Sequence, residues 1–381
     1  MRAEAAFVLA LARGDPRCLV WATHHSFSED RAFCCAEAHQ VAALCWWMWR
    51  RVVTLEETTS LEATFASLLR RLRDAYLRNL LRNDALLSDL ALLDEALAAQ
   101  GIQALWFKGP WLMLEAYPDP GTRPVGDIDL GIQERDFRGA VTALASVGYE
   151  PERSIPRDPA SALRRAHHDS QLRFRATGKR PVEMHFRLVN VGPPLVNEGW
   201  VWATARELRV GERVLHVPGP EAMLLHLLIH ANQHGFAVLR LLHDIRWAIQ
   251  RDGASLDWGR LLSHVQKLHC RPLAYYGLLL AAEMAAAKVP YELLRVLRPT
   301  RARRAVFSLS WKLGNVRCLE RRRTRREMEA PLLYLLEMGR LRDKATYLAG
   351  VLANSRALEL FLNRPSSGWA SLRTTGREEE W

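Results

Sequence analysis

The sequence predicts an α+β protein in which a small mixed β-sheet with flanking helices lies between N-terminal helices and a C-terminal helical domain. Leucines recur every three or four positions between residues 61 and 100, which is the spacing of amphipathic helices. Residues 104–190 alternate short apolar strands with helices, and the pattern from residue 218 onwards is helical. We therefore expect four regions: an N-terminal helical region at 1–100, an α/β core at 101–217, a C-terminal helical domain at 218–365 and a flexible tail at 366–381.

The composition is that of a globular protein with a strong positive charge. Of its 381 residues, 49% are hydrophobic and 25% are charged, and the net charge is +11. Arginine supplies nearly all of this positive charge, and its guanidinium binds phosphate oxygens in a bidentate manner. The densest basic run, Arg321–Arg326, fits an RNA or another acidic partner. Such runs are more often a solvated helix face or loop, and no RNA-binding motif accompanies this one.

Cysteine spacing and hydropathy argue against several classes of protein. The six cysteines show no CxxC or Cys/His spacing, which argues against a zinc site and fits reduced thiols in the cytoplasm. The N-terminus lacks a basic, apolar and cleavable segment, so we expect no secretion. No apolar run reaches the roughly 18 residues of a membrane-spanning helix. The longest candidate, Tyr275–Ala287, contains Glu283 and is predicted to be a buried helix.

The α/β core begins with an apolar strand that ends at Lys108 and Gly109. Pro110 suits the first position of the following helix, because its missing N–H costs nothing there. A helix N-terminus directly after a glycine favours phosphate binding through exposed amides and the helix dipole. This segment is therefore a candidate phosphate-binding loop.

Two aspartates, Asp127 and Asp129, lie two positions apart in the next apolar run. Residues i and i+2 of a strand point to the same face, so the two carboxylates are predicted to project side by side. Adjacent carboxylates resist joint ionisation unless a cation lies between them. Their oxygen atoms suit Mg²⁺, which binds proteins through one or two carboxylates together with substrate phosphates. The alternative is a solvated pair at a strand edge.

Residues 171–187 have the alternation of a β-hairpin, with a turn at residues 176–180. Glu183 and His185 share one face of its second strand. A third carboxylate on a strand beside the aspartates would complete a site for two metal ions. One ion would hold a triphosphate, and the other would lower the pKa of an attacking hydroxyl. His185 would contact phosphate or cover the sheet.

The C-terminal helical domain places polar residues among apolar ones. His226 and His230 are spaced i,i+4 on one helix face, a spacing that can ligate a metal. No glutamate follows the first histidine as it does in zinc proteases, which weakens that interpretation. An alternative for His230 and Asp244 is that they are buried partners linking two helices.

These motifs together resemble the bacterial uncharacterised nucleotidyltransferase family, which belongs to the polymerase-β-like nucleotidyltransferase superfamily. The resemblance extends from about residue 60 to about residue 250 of the chain. It rests on Lys108-Gly109, on the run Tyr117–Leu130 with its Arg-Pro-Val-Gly-Asp-Ile-Asp segment, on Val182–His185, and on Leu224–His230 and Leu242–Asp244.

The resemblance implies a nucleotidyltransferase core that uses Mg²⁺ in a two-metal site and an NTP as substrate. Asp127, Asp129 and Glu183 would be the catalytic metal ligands. The implied nucleotide- or phosphate-binding residues are Lys108, Gly109, Arg123, Gly126, His185, His230 and Asp244. The superfamily usually has Gly-Ser or Gly-Gly where this chain has Gly109-Pro110, and Pro110 has no N–H to donate. Lys108 and Arg123 would then replace the missing phosphate donors.

The predicted function is Mg-dependent transfer of a nucleoside monophosphate from an NTP to an acceptor hydroxyl, with release of pyrophosphate. A small molecule or biosynthetic intermediate is the favoured acceptor, whereas an RNA-directed enzyme fits the positive charge and a protein hydroxyl fits too. A catalytically silent nucleotide- or RNA-binding module, such as a toxin–antitoxin partner, is the alternative from another class. Pro110, in place of the usual Gly or Ser, would then mark a degraded active site. A kinase-like phosphotransferase is weaker, because no glycine-rich kinase loop is present.

Overall fold

The computed structural model describes residues 3–24, 26–53, 61, 63–152, 171–189, 198–301 and 304. Five helices form the N-terminal part of these ranges. They are α1 (Ala3–Arg13), α2 (Cys18–Ala22), α3 (Glu29–Ala38), α4 (Ala42–Val52) and α5 (Ala66–Ala99).

The 34-residue helix α5 supports the chain that leads into the candidate site. Its buried face repeats every three or four residues, from Leu68 to Leu97, as the leucine spacing predicts. Asn83 interrupts this apolar face and is 1% exposed. Its side-chain amide donates to the carbonyl oxygens of Pro120 at 2.6 Å and Arg123 at 2.8 Å. The polar exception on α5 therefore fixes the segment that precedes the Asp127/Asp129 strand.

A five-stranded mixed sheet forms the centre of the described structure, as predicted. In chain order its elements are β1 (Leu105–Phe107), the short helix α6 (Gly109–Trp111) with a π-helical turn (Leu112–Ala116), β2 (Ile128–Gly131), α7 (Phe137–Ser146), β3 (Glu150–Pro151), β4 (Gln171–Arg175) and β5 (Val182–His185). The strand order is β1-β2-β5-β4-β3. Only β2 and β5 run parallel, and the other three pairs are antiparallel.

The central pair β2 and β5 buries one set of side chains and presents the other to the site. Ile128, Leu130, Val182 and Met184 are all 0% exposed. The register places Asp129 opposite Glu183, and Gly131 opposite His185. The side-chain alternation of both strands therefore brings the predicted metal ligands to one face of the sheet.

A hairpin and five helices follow the sheet, after the short helix α8 (Gly199–Ala203). They are β6 (Arg206–Val210), β7 (Arg213–Val217), α9 (Pro220–Gln233), α10 (Leu239–Asp252), α11 (Trp258–Lys267), α12 (Arg271–Ala285) and α13 (Tyr291–Leu297). Helix α9 begins at a proline, as helix N-termini favour, and most of its residues are buried. Within the described ranges, none of the helices combines the length and apolar character needed to cross a bilayer.

One continuous cluster of buried apolar side chains reaches from α1 to α13. The helices at both ends of the described chain therefore pack on the same core as the sheet. The boundaries at residues 100, 217 and 365 stay predictions. The Arg321–Arg326 run and the tail at 366–381 lie outside the described residues.

Candidate active site

Three carboxylates approach the same end of the β2/β5 pair. Asp129 lies on β2 and is 0% exposed, and Glu183 lies opposite it on β5 and is 8% exposed. Asp127 directly precedes β2 and is partly exposed. The structure thus brings together the three side chains that sequence patterns predicted to be metal ligands.

Asp129 is held by two nitrogen donors on one of its oxygens. The Lys108 ammonium lies 2.6 Å from Asp129 Oδ1, and His185 Nε2 lies 3.1 Å from the same atom. The other oxygen, Oδ2, is buried and has no hydrogen-bond partner among the described residues. A buried carboxylate oxygen without a donor is costly unless something else satisfies it.

The electrostatics of Asp129 and Lys108 are mutually dependent. Burial alone would raise the pKa of Asp129, but the Lys108 charge and the His185 hydrogen bond hold this pKa well below its ordinary value. Burial alone would lower the pKa of Lys108, but the charges of Asp129, Asp127 and Glu183 raise it instead. Both side chains are therefore charged near neutral pH, and the ammonium acts as the counterion of the carboxylate.

Glu183 has a different protonation behaviour from Asp129. Burial, supported by the charges of Asp129 and Asp127 and opposed by that of Lys108, raises the pKa of Glu183 to about 7. Its Oε1 accepts an ion-pair contact from Arg173 Nε at 3.0 Å, and its Oε2 lies 3.9 Å from His185 Nε2. A carboxylate with a pKa near neutrality can exchange a proton with a substrate group.

The cluster fits a divalent cation. Asp129, Glu183 and His185 are all buried, and each offers one ligand atom within 4.8 Å of the others. The unpaired Oδ2 of Asp129 adds an oxygen that only a cation or water can satisfy, since no protein donor among the described residues reaches it. Asp127 is outside this group of three, although its charge affects the pKa of Lys108, Glu183 and His185.

Gly109 packs directly on the chain that carries Asp127. A Cβ at this position would lie 2.8 Å from Val125 Cγ1 and 3.3 Å from the Asp127 carbonyl oxygen, so only glycine fits without a shift. Lys108, just before it, has a φ of 53°, a backbone conformation that residues other than glycine rarely adopt. Gly126 is exposed and has open space beside its Cα. The Lys-Gly corner and the aspartate strand are thus one packed unit.

Arg123 and Asp244 face each other rather than the carboxylate cluster. Arg123 Nε and Nη2 donate to Asp244 Oδ1 at 2.8 Å and Oδ2 at 3.0 Å. Tyr117 donates to Oδ1 at 2.8 Å, and Arg240 donates to Oδ2 at 3.0 Å. Both Arg123 and Asp244 are at most 2% exposed. The structure makes Asp244 a buried partner, as one interpretation of the sequence held, but its partner is Arg123 and not His230.

The histidines of α9 lie behind the cluster and do not join it. The ring of His226 contacts Phe107 edge-on at 4.8 Å, and its Nδ1 lies 2.6 Å from the Leu188 carbonyl oxygen. The His230 ring stacks on His226 with centroids 6.2 Å apart. Burial and the Lys108 charge lower the pKa of His226 to about 3 and that of His230 well below its ordinary value. Neither belongs to a group of three metal-ligating side chains in the described ranges.

Two contacts of this region were missed at the sequence level. Arg173 pairs with Glu183 across the β4/β5 hairpin, and the register fixed by the turn at 176–180 was a usable signal for it. Tyr117 reaches Asp244 across 127 positions of the chain, and no local pattern indicates that contact.

Comparison with known proteins gives a family for this chain. No curated protein sequence matches it. A solved structure, ANT(2″)-Ia in complex with adenylyl-2″-tobramycin, is similar at 12% sequence identity and a TM-score of 0.33, covering 46% of this chain and 92% of that chain. The sequence profile of a family described as "Uncharacterised nucleotidyltransferase" matches residues 25–286, which is more than half of the chain and contains every residue of the site. The chain therefore belongs to the uncharacterised nucleotidyltransferase family and is a transferase of nucleotidyl groups.

Proposed function

We propose that the chain transfers a nucleoside monophosphate from an NTP to an acceptor hydroxyl and releases pyrophosphate. The observation that carries this proposal is the pairing of Asp129 with Glu183 on adjacent parallel strands, with Lys108 at 2.6 Å from Asp129. Opposed carboxylates beside a buried ammonium are suited to holding cations and phosphates together.

Asp127, Asp129 and Glu183 are the proposed ligands of the divalent cation, with Mg²⁺ as the expected ion. When bound, the cation would neutralise triphosphate charge and favour ionisation of the acceptor hydroxyl. Lys108 is the proposed phosphate contact, since its ammonium is already held beside Asp129. Gly126 leaves room for a phosphate to approach the backbone, whereas the space beside Gly109 is filled by Val125 and the Asp127 carbonyl.

Glu183 is the proposed acceptor of the proton from the attacking hydroxyl. Set by the protein's own groups alone, the pKa of Glu183 is about 7, so its carboxyl exchanges a proton near neutral pH. Arg123 and Asp244 are proposed to act as supports of the loop before β2, since two guanidinium nitrogens of Arg123 are occupied by Asp244. His230 is a more distant candidate for contact with the nucleotide.

The acceptor is proposed to be a small molecule or biosynthetic intermediate, with RNA as the second choice because of the net charge of +11. A catalytically silent nucleotide- or RNA-binding module is the competing function. One observation favours it: Pro110 is the second residue of α6 and cannot donate an N–H to phosphate.

The test is to incubate the protein with each α-³²P-labelled NTP, Mg²⁺ and cell extract separated into RNA, protein and small-molecule fractions. We expect label in one fraction for the wild type and loss of at least a thousandfold in Asp129→Asn. Asp84→Asn, an acid-to-amide change at an exposed position of α5, is the matched control and should retain transfer.

Because Asp129→Asn leaves Lys108 without its ion-pair partner, Glu183→Gln is a second variant, and thermal unfolding checks that both are folded. Label transfer by Asp129→Asn within a few-fold of wild type would contradict the proposal. Tight RNA binding that weakens with salt, without label transfer to any fraction, would favour the silent module.

A further inference from the structure

We propose that His185 is a nitrogen ligand of the bound divalent cation, so that the site prefers Mn²⁺ or a similar transition-metal ion to Mg²⁺. This inference rests on the metal site of the proposed function, but it assigns His185 a role other than contact with the nucleotide. It follows from the placement of the imidazole, from two interatomic distances and from the unpaired oxygen of Asp129.

The strand geometry directs His185 toward the carboxylates. His185 follows Glu183 by two positions on β5, so both side chains point to the same face of the sheet. Its cross-strand neighbour on β2 is Gly131, where a Cβ would meet Leu188 Cδ1 at 2.8 Å. The imidazole reaches along the sheet to Asp129, which lies two pairs further down the same two strands and on the same face.

The distances around His185 Nε2 are those of atoms that share one small cation. Nε2 lies 3.1 Å from Asp129 Oδ1 and 3.9 Å from Glu183 Oε2. Two ligand atoms, each about 2.1 Å from an ion, are separated by about 3.0 Å at a right angle and by about 4.2 Å at opposite sides of it. Both separations from His185 Nε2 fall within these limits, and the ligand atoms of Asp129, Glu183 and His185 all lie within 4.8 Å of one another.

The surroundings hold the imidazole in place and leave ligand capacity unused. Phe107 contacts the His185 ring edge-on with centroids 5.0 Å apart, and His185 is only 6% exposed. Asp129 is fully buried, and its Oδ2 has no partner within the described chain. The imidazole thus contacts Asp129 through Oδ1, while Oδ2 of the same carboxylate is left for an ion.

A nitrogen ligand changes which ion the site selects. Carboxylate oxygens alone suit Mg²⁺, whereas imidazole favours first-row transition metals. If Nε2 only donates a hydrogen bond to Asp129, the bound ion is surrounded by oxygen and no such preference arises. The two interpretations differ in whether the bound ion is in direct contact with nitrogen.

Pulsed electron paramagnetic resonance of bound Mn²⁺ tests this contact directly. Mn²⁺ is added to the full chain without nucleotide, once with natural histidine and once with ¹⁵N-labelled histidine. In the wild type, we expect the Mn²⁺ spin-echo signal to be modulated by a histidine nitrogen, and this nitrogen modulation to change with the ¹⁵N label. The modulation should disappear in His185→Gln. His226→Gln is the matched control, since its buried Nε2 has no hydrogen-bond partner among the described residues and its ring centroid lies 6.4 Å from that of His185. It should retain the modulation.

The affinities of Mn²⁺ and Mg²⁺ for the same proteins give a second readout. We expect the wild type to bind Mn²⁺ more tightly than Mg²⁺ and His185→Gln to narrow this ratio by about tenfold, as losses around metal sites do. Bound Mn²⁺ without a histidine-dependent modulation in the wild type would overturn the inference, and so would absence of Mn²⁺ binding. Because no NTP is used, a failure of label transfer with the modulation present would overturn only the proposed function.

Discussion

At the scale of single residues, basic side chains partly neutralise the carboxylates of the site. Lys108 lies against Asp129 at 2.6 Å, and Arg173 lies against Glu183 at 3.0 Å. These two cations face three carboxylates, because Asp127 also contributes its charge to the region. A bound divalent ion would therefore have to compete with Lys108 for Oδ1 of Asp129, but not for its unpaired Oδ2.

Glu183 gives the first prediction, which concerns pH. Its pKa is about 7 in the folded protein against an ordinary value of 4.5, so the folded state binds the proton more tightly than the unfolded state. The stabilisation from this group is fully present below the unfolded pKa and is lost as pH rises through about 7. Glu183→Gln has no ionisable group at position 183, so it does not lose stability in this way as pH rises. With both proteins treated with a chelator, we expect the stability of Glu183→Gln relative to wild type to increase between pH 5.5 and pH 8.

Urea unfolding of both proteins at the two pH values measures the effect. Glu207→Gln, at an exposed position of β6, serves as the control and should show no such change relative to wild type. A stability difference between Glu183→Gln and wild type that stays constant across this range would show that Glu183 does not carry the proposed proton affinity.

At the scale of elements, patterns confined to one segment or to neighbouring segments were readable from the sequence. The β4/β5 hairpin was predicted from alternation and a turn, and its strands lie at Gln171–Arg175 and Val182–His185. The leucine spacing similarly predicted α5. Fold class was readable because strand and helix periods differ and because each element buries one face.

Contacts between distant segments were not readable in the same way. Arg123 and Asp244 are 121 positions apart and lie in different elements, so no local spacing indicates that they pair. Arg123 was instead assigned to phosphate, since an arginine beside the aspartate motif has the right charge for that role. A role of Arg123 at the phosphate stays a prediction, and its pairing with Asp244 depends on how α10 packs.

Gly109 gives a prediction at the element scale, because it joins the Lys108 corner to the aspartate strand. In Gly109→Ala, the new methyl group meets Val125 Cγ1 at 2.8 Å and the Asp127 carbonyl at 3.3 Å, which forces the two segments apart. We expect destabilisation of about 1–3 kcal/mol and a larger proportional loss of nucleotidyl transfer. Urea unfolding and the labelled-NTP assay measure the two effects.

Gly126→Ala is the matched control for the stability measurement. Gly126 is next to Asp127, but a Cβ there has nothing within 4 Å, so its stability should stay close to wild type. If Gly109→Ala were as stable as wild type, the close packing of the Lys108 corner on the aspartate strand would not contribute to stability.

At the scale of the whole molecule, Asp244 connects three parts of the chain. It binds Arg123 and Tyr117 from the segments between β1 and β2, and Arg240 from its own helix α10. Arg240 in turn donates through Nε to the Gln40 side chain at 2.7 Å, between α3 and α4. The loop between α3 and α4, the segments before β2 and helix α10 therefore share one hydrogen-bond network, and the N-terminal helices, the sheet and the C-terminal helices share one apolar core.

Removing Asp244 should destabilise the whole fold, because two arginines and a tyrosine would lose their buried acceptor. We expect Asp244→Ala to lower the free energy of unfolding by about 3–5 kcal/mol, as for other broken buried ion pairs. Asp30→Ala is the control: Asp30 pairs with Arg71 at the surface, its side chain is 85% exposed, and an exposed pair contributes about 0–1 kcal/mol.

A double-mutant cycle separates the Arg123 contact from the rest of the network. Asp244→Leu combined with Arg123→Met removes both charges, so the double variant should be more stable than the sum of the two single losses predicts. The coupling is expected to be large, because Arg123 makes two of the four hydrogen bonds described to Asp244. Additive losses in urea unfolding would mean that Arg123 and Asp244 act independently, and that the loop before β2 is held mainly by Asn83 and apolar packing.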